Sequence, residues 1–224
     1  MQSHNNAKKR MALIFFGISY IETTKNIKCH GPNRKIDFTQ SVQNYQDFIF
    51  NFYKDYDIDI FMCTNDSIKK ELLFKYYPPT AYCFSDEGRN IKIIKAVELC
   101  LNYSETNNVT YDHILITRFD LWFRERFEDA NIDYNKLNVV SKLEKRGFIC
   151  DNLYIFPHKY LNKFHKILIN GREKYAHNLM VDFDKAFDVN YIRDQGKNVR
   201  KLAFYKLRRD LVDNHHIKIY GKFD

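Results

Sequence analysis

The residues best suited to chemistry in this 224-residue chain are an arginine and an aspartate two positions apart, Arg118 and Asp120. They follow residues 114–117, an apolar and β-branched run that is typical of a strand buried on both faces. Ligands of open α/β sheets bind beyond the carboxyl ends of the strands. An aspartate there can coordinate a hard divalent cation, and an arginine can bind a diphosphate oxygen. A strand-end arginine paired with a surface carboxylate is the alternative interpretation.

Two other predicted strands end in residues that a ligand could approach. A continuous apolar run ends at Phe16 and Gly17, and a glycine allows close contact between backbone and ligand, although a plain turn is an equal alternative. Thr64 ends the second predicted strand. Because the carboxyl ends of parallel strands meet at one edge of a sheet, we expect all three residues near Asp120.

Basic side chains cluster at the start of a helix predicted over residues 90–103, where Arg89, Lys92 and Lys95 lie on the first two turns. A helix N-terminus already carries partial positive charge, so cations there are unfavourable unless an anion is near. Arg89 and Lys92 therefore predict phosphate binding. A solvated charged face is the alternative.

The order of predicted elements up to about residue 125 is β-α-β-α-β-α-β with short connections, which predicts an α/β fold with a mostly parallel, doubly wound sheet. In this half the pattern predicts strands over 11–16, 57–63, 81–84 and 111–123 and helices over 37–53, 67–76 and 90–103. The rest reads as a mixed lobe, with strands over 137–141, 148–156 and 217–220 and helices over 159–169, 175–187 and 197–212. No linker separates the halves, so we expect one domain over 1–224, with a ligand-binding half (11–125) and a C-terminal lobe (126–224).

Composition narrows the class of protein. Hydrophobic residues make up 45% of the chain and aromatic residues 16%, which excludes a disordered protein. The net charge of +8 favours anionic partners, but the basic residues are dispersed and no nucleic-acid recognition motif accompanies them.

Five cysteines without a Cys-x-x-Cys pair indicate a reducing compartment and no structural zinc. With no signal peptide or membrane-length apolar run, we expect a soluble, cytoplasmic protein.

Residues 112–123, Asp-His-Ile-Leu-Ile-Thr-Arg-Phe-Asp-Leu-Trp-Phe, resemble the strand that carries the Asp-x-Asp motif of GT-A glycosyltransferases. The similarity is greatest to the small glycosyltransferases of large algal DNA viruses, and it covers roughly residues 11–170. Supporting matches are Phe16-Gly17, Ser41-x-x-Asn44, Asp57-x-Asp59-Ile-Phe61 with Thr64, and the segment from Cys150-Asp151-Asn152 to Pro157.

The resemblance implies transfer of a sugar from a nucleoside-diphosphate donor to a glycan or glycoprotein hydroxyl, in the host cytoplasm if the protein is viral. It implies that Asp120 holds Mn²⁺ or Mg²⁺ at the donor diphosphate, although Arg118 stands where the motif has its first acid. Asp151 is then the candidate general base, with Asp182 and Asp184 as fallbacks. We assign no role to the late histidines His177, His215 and His216.

Two rival functions remain open. A basic nucleic-acid-binding module would show strongly salt-dependent affinity, but the aromatic residues lie mostly in segments that are predicted to be buried. A phosphotransferase or nucleotidyltransferase could use the same strand-end carboxylate, and the group that it transfers would distinguish it from a glycosyltransferase.

Overall fold

The computed structural model describes residues 8–22, 35–143, 148–171, 176–192 and 205–207, and the strands and helices below lie in these ranges. In chain order the strands are β1 (Lys9–Phe16), β2 (Tyr20–Glu22), β3 (Lys35–Asp37), β4 (Tyr56–Thr64), β5 (Ala81–Phe84), β6 (His113–Arg118), β7 (Leu121–Phe123), β8 (Leu137–Val139), β9 (Lys142–Leu143), β10 (Phe148–Ile149), β11 (Leu153–Phe156), β12 (Val189–Tyr191) and β13 (Tyr205–Leu207). The α-helices are α1 (Val42–Tyr45), α2 (Lys70–Tyr76), α3 (Arg89–Thr106), α4 (Leu161–Asn170) and α5 (Met180–Ala186).

A seven-stranded sheet in the order β12-β8-β11-β6-β1-β4-β5 forms the centre of the molecule. Its pairings are parallel except for β11, which runs antiparallel to both β6 and β8. The chain steps from β1 to β4 and β5 on one side, then returns to β6 on the other side of β1. This confirms the predicted α/β fold with a mostly parallel sheet. It also creates a switch point between β1 and β6, the place where such sheets bind ligands.

The continuous apolar run of β1 is explained by burial of both faces of the sheet. Ala12, Ile14 and Phe16 pack against α3, α4 and α5 on one face. Met11, Leu13 and Phe15 alternate with them and pack against α1, α2 and the π-helical segment Gln46–Phe50 on the other face. Both clusters are rich in aromatic rings, as in the stacked pair of Phe15 and Phe119 with centroids 4.9 Å apart.

Several predicted elements differ from those in the structure. The helix predicted over 37–53 begins at Phe38 and is capped by Asp37, the last residue of β3, whose Oδ1 accepts a hydrogen bond from the Thr39 amide at 3.2 Å. It is, however, divided into the 3₁₀ turn Phe38–Ser41, α1 and the π-helical segment. The predicted helix over 175–187 is likewise the 3₁₀ turn Ala176–Leu179 followed by α5.

The C-terminal lobe requires two corrections. The single strand predicted over 148–156 is interrupted at residues 150–152, between β10 and β11. In the helix predicted over 197–212, the described part is not helical, because β13 pairs antiparallel with β7. Alternating basic and apolar residues there suit either a helix or a strand, and pairing with β7 decides between them. The strand predicted over 217–220 and the pair His215 and His216 lie outside the described residues.

Candidate functional site

Arg118 and Asp120 form a buried ion pair where β6 ends. The chain bends at residues 119 and 120, directly after β6, and the two side chains meet across this bend. The guanidinium binds the carboxylate twice, from Nε to Oδ1 at 2.7 Å and from Nη2 to Oδ2 at 2.7 Å. The two residues are only 7% and 3% exposed. Each charge therefore depends on the other, because neither is solvated well enough to stand alone.

A second arginine–aspartate pair adjoins the first. Because β11 runs antiparallel to β6, the residues before β11 lie at the carboxyl end of β6. Arg118 donates from Nη1 to Oδ1 of Asn152 at 3.2 Å. The neighbouring Asp151 is buried, and its Oδ2 lies 2.5 Å from Nη2 of Arg89. We call this set the Arg–Asp cluster; its members are Arg89, Arg118, Asp120, Asp151 and Asn152.

The path of the chain explains how Arg89 reaches the cluster. Arg89 is the first residue of α3, and α3 begins shortly after β5 ends at the same edge of the sheet. Gly88 caps the helix without a side-chain hydrogen bond. The N-terminus of this 18-residue helix adds partial positive charge next to the cluster, because Arg89 is both its first residue and a member of the cluster.

Gly17 and Thr64 lie at the same carboxyl edge of the sheet as the cluster but have different structural roles. Gly17 has a φ of 103°, in the left-handed region that favours glycine, and a Cβ there would meet no atom of the described residues within 4 Å. Thr64 is buried, and its Oγ1 accepts a hydrogen bond from the Ser19 amide at 3.0 Å and donates one to Ser19 Oγ at 2.9 Å. Gly17 thus borders open space, while Thr64 holds the turn after β1 in place.

Lys92 and Phe16 are held inside the protein. Lys92 is 4% exposed, and its Nζ donates to the Glu87 carbonyl at 2.5 Å, so it closes the loop before α3. Burial lowers the pKa of this lysine. The Phe16 side chain belongs to the core and leaves only its backbone at the sheet edge. Binding of a ligand by either residue stays a prediction.

The fallback acids lie on α5, on the far flank of the sheet from β5. Asp184 is exposed and accepts a hydrogen bond from the Tyr191 hydroxyl at 2.6 Å. Asp182 is partly exposed on the same helix. His177 lies in the 3₁₀ turn before α5. The geometry thus brings Asp151, and not these acids, into the cluster with Asp120.

Two residues to which the sequence analysis assigns no role, Tyr45 and Asn44, bind the backbone next to the cluster. The Tyr45 hydroxyl donates to the carbonyl of Arg118, and burial raises the pKa of this tyrosine well above its usual value. Asn44 binds both backbone groups of Phe123, donating to its carbonyl at 2.9 Å and accepting from its amide at 2.7 Å. A polar asparagine beside a tyrosine in an otherwise apolar helical stripe is the sequence feature that could have indicated these backbone contacts.

The carboxylates of the cluster are poor ligands for the Mn²⁺ or Mg²⁺ that the resemblance implies. A divalent cation on Asp120 would lie close to the Arg118 guanidinium, with repulsion on the order of several kcal/mol even at an effective dielectric constant of about 20. Asp151 is in contact with Arg89 in the same way. Within the described ranges, no three or more His, Cys, Asp or Glu side chains are grouped so that they could hold a metal ion. The donor set therefore does not fit the ion that the resemblance implies.

Comparisons with known proteins define the class of fold. No protein-family profile and no curated protein matches the sequence. Among solved structures, the chain is similar to a protein of Bacillus anthracis assigned as a glucose-1-phosphate thymidylyltransferase, with a TM-score of 0.50 and 13% identity over 97% of this chain and 96% of the other. A nucleoside-diphosphate-sugar pyrophosphorylase of Vibrio cholerae gives a TM-score of 0.46 and 12% identity, over 91% and 98% of the two chains.

The glycosyltransferase GlyE of Streptococcus pneumoniae is also similar, with a TM-score of 0.43 and 13% identity over 81% of this chain and 45% of that one. At 13% identity, the similarity to the Bacillus anthracis structure supports a shared fold alone, the α/β fold with a mostly parallel sheet. In the part of the chain that the structure describes, no helix is both long and apolar enough to cross a membrane.

Proposed function

We propose that this protein transfers a sugar from a nucleoside-diphosphate donor to a hydroxyl group of a glycan, with the Arg–Asp cluster at the donor diphosphate. The observation that carries the proposal is the meeting of Arg118 and Arg89 at the carboxyl edge of the sheet, beside the switch between β1 and β6. Planar guanidinium groups match phosphate oxygens in charge and geometry. The resemblance of residues 112–123 to GT-A glycosyltransferases supports the same reaction.

The proposed reaction needs charge stabilisation and a base. The acceptor oxygen attacks the anomeric carbon while the bond from that carbon to the diphosphate oxygen breaks. Arg118 and Arg89 would stabilise the negative charge that the departing nucleoside diphosphate carries away. Asp151 would take the proton of the acceptor hydroxyl. Arg89 is the more exposed partner of Asp151, so its movement toward the diphosphate would uncover the base when the donor binds.

Nucleotidyl transfer is the second candidate, because the thymidylyltransferase-assigned neighbour covers nearly the whole chain at the same fold. That reaction would join a nucleoside triphosphate to a sugar 1-phosphate and release pyrophosphate. Gly17 is a single glycine after β1, and such a turn offers few backbone amides to a triphosphate. We therefore favour sugar transfer.

The two reactions are separated by their products. A panel of uridine, guanosine and thymidine diphosphate sugars is incubated with the protein and glycan acceptors, and nucleoside diphosphate is measured. We expect release from at least one donor, and a loss of about 100-fold or more in kcat for Asp151→Asn. Asp57→Asn is the matched control, because Asp57 is exposed at the opposite edge of the sheet. Pyrophosphate formed from a triphosphate and a sugar 1-phosphate, with no release from any nucleotide sugar, would contradict sugar transfer.

A further inference from the structure

The Arg–Asp cluster has an unusual balance of charge for a site that binds a diphosphate. Both oxygens of Asp120 accept hydrogen bonds from Arg118, and Asp151 is in contact with Arg89. Each carboxylate is thus matched by a guanidinium. In a metal-dependent site, the carboxylates would instead be gathered around a cation that the diphosphate shares.

The contact between Arg118 and Asp120 is a buried ion pair held in place by further hydrogen bonds, and not an exposed surface salt bridge. The two hydrogen bonds are of equal length, and both residues are buried. Asn152 holds a third nitrogen position of the guanidinium, Nη1, and Tyr45 holds the backbone of the arginine. Three residues therefore fix the orientation of Arg118, and a divalent cation could bind Asp120 only by breaking this arrangement.

A guanidinium has enough hydrogen-bond donors to bind a carboxylate and a phosphate at once, so the site could bind a diphosphate without a cation. Arginine carries five N–H groups, more than one carboxylate can accept, so one guanidinium can bind a carboxylate and a phosphate oxygen together. Arg118 provides a fixed positive charge at the end of β6. Arg89, with a side chain that is 32% exposed, provides an adjustable one at the start of α3.

We propose that the cluster binds the diphosphate of its donor through Arg118 and Arg89 without a divalent cation, and that Asp120 is a partner of Arg118 and not a metal ligand. This inference rests on the proposed function, because it describes how the donor of that reaction is held. The two guanidinium groups take the place of the metal charge in stabilising the leaving nucleoside diphosphate.

The first test compares ligand-induced thermal shifts of the full chain with and without metal. Melting temperatures are measured with uridine, guanosine and thymidine diphosphate, in excess EDTA and in Mn²⁺. We expect a shift in EDTA at least as large as the one in Mn²⁺. A shift that appears only with Mn²⁺ would overturn the metal-free inference while it leaves the proposed function intact. No shift with any nucleotide under either condition would instead contradict the proposed function itself.

The second test separates the two roles of Asp120 by a pair of variants. Asp120→Asn keeps one oxygen acceptor for Arg118, whereas Arg118→Gln/Asp120→Asn removes both charges and keeps the site neutral. In EDTA we expect Asp120→Asn to retain at least half of the nucleotide-induced shift and the double variant to lose it. If Asp120→Asn loses the shift as fully as the double variant, Asp120 is itself required for nucleotide binding, and if the double variant retains the shift, Arg118 is not the phosphate ligand. Either result contradicts the inference. The melting temperature without nucleotide shows that each variant is folded, and the wild-type comparison in EDTA decides the question if either is not.

Discussion

The central sheet has charged side chains of the same kinds at the amino ends and at the carboxyl ends of its strands, here called the amino edge and the carboxyl edge. Their surroundings differ. At the amino edge, Arg10 Nη2 binds Asp59 Oδ2 at 2.7 Å, and the Tyr111 hydroxyl donates to the same oxygen at 3.1 Å. Lys8 and Asp57 form a further pair there, with side chains 54% and 55% exposed. At the carboxyl edge, Arg118 and Asp120 make an equally short contact but are almost wholly buried.

The ion pairs at the two edges differ in what they contribute to the stability of the fold. The pairs of the amino edge join neighbouring strands and remain partly hydrated, so they cost little. The Arg118–Asp120 pair joins two residues of one short segment, so it adds no tie between strands, and its burial carries a desolvation cost. A charged pair that is buried without tying the fold together is the kind of feature that a ligand site requires.

The largest predicted effect comes from breaking the buried pair on one side only. Asp120→Ala leaves Arg118 as a buried unpaired charge, and we expect the free energy of unfolding to fall by about 3–5 kcal/mol. Asp57→Ala, the same substitution at the amino edge, should cost at most about 1 kcal/mol. Urea denaturation followed by circular dichroism measures both values. Similar losses for the two variants would mean that the edges do not differ in the way described.

The sheet and much of this edge could be predicted from the sequence, because burial on both faces leaves a direct pattern. β1, β6 and the second half of β4 contain continuous apolar or β-branched runs, over residues 11–16, 114–117 and 60–63, and their order along the chain determines which ends meet. The convergence of Gly17, Thr64 and Arg118 at one edge follows from strand direction alone, whereas the position of Asp151 depends on the antiparallel direction of β11, which the sequence does not predict.

The partners within the site could not be predicted in the same way. The sequence predicts that Asp120 binds a metal and Arg118 a phosphate, with a surface ion pair as the alternative, whereas in the structure the two side chains bind each other and are buried. The break before β11 was missed because residues 148–156 are apolar apart from Asp151 and Asn152. Which side chains contact each other depends on rotamers and burial, and periodicity does not specify either.

A smaller effect distinguishes two glycines near the cluster. In Gly17→Ala, an alanine would have to adopt a φ of 103°, which we expect to cost about 1–2 kcal/mol of the free energy of unfolding. Gly88→Ala is the matched control, because Gly88 has a φ of −61° and its Cβ would also meet no described atom within 4 Å. We expect a change within about 0.5 kcal/mol there. Equal costs in urea denaturation would show that backbone strain is not what requires Gly17.

The smallest effect concerns the reactivity of two thiols, one near each edge. Cys83 lies opposite Cys63 in the pairing of β5 with β4, and the hydrogen bond from the Cys63 thiol holds the pKa of Cys83 below its ordinary value. Cys100 is buried on α3, and burial followed by the negative charge of Asp59 raises its pKa. Because the thiolate is the nucleophile, we expect iodoacetamide at pH 7 to modify Cys83 well before Cys100, and the reaction to slow as the pH is lowered.

Site-resolved mass spectrometry of the folded protein measures both rates. Cys63→Ala removes the hydrogen-bond donor, so it should raise the pKa of Cys83 and slow its alkylation at pH 7, whereas Cys63→Ser keeps a donor and should preserve the rate. If Cys63→Ala leaves the rate unchanged, exposure and not the hydrogen bond controls Cys83. In that case the thiols would differ only in access to the reagent, and the electrostatic contrast between the edges would be confined to their arginine–aspartate pairs.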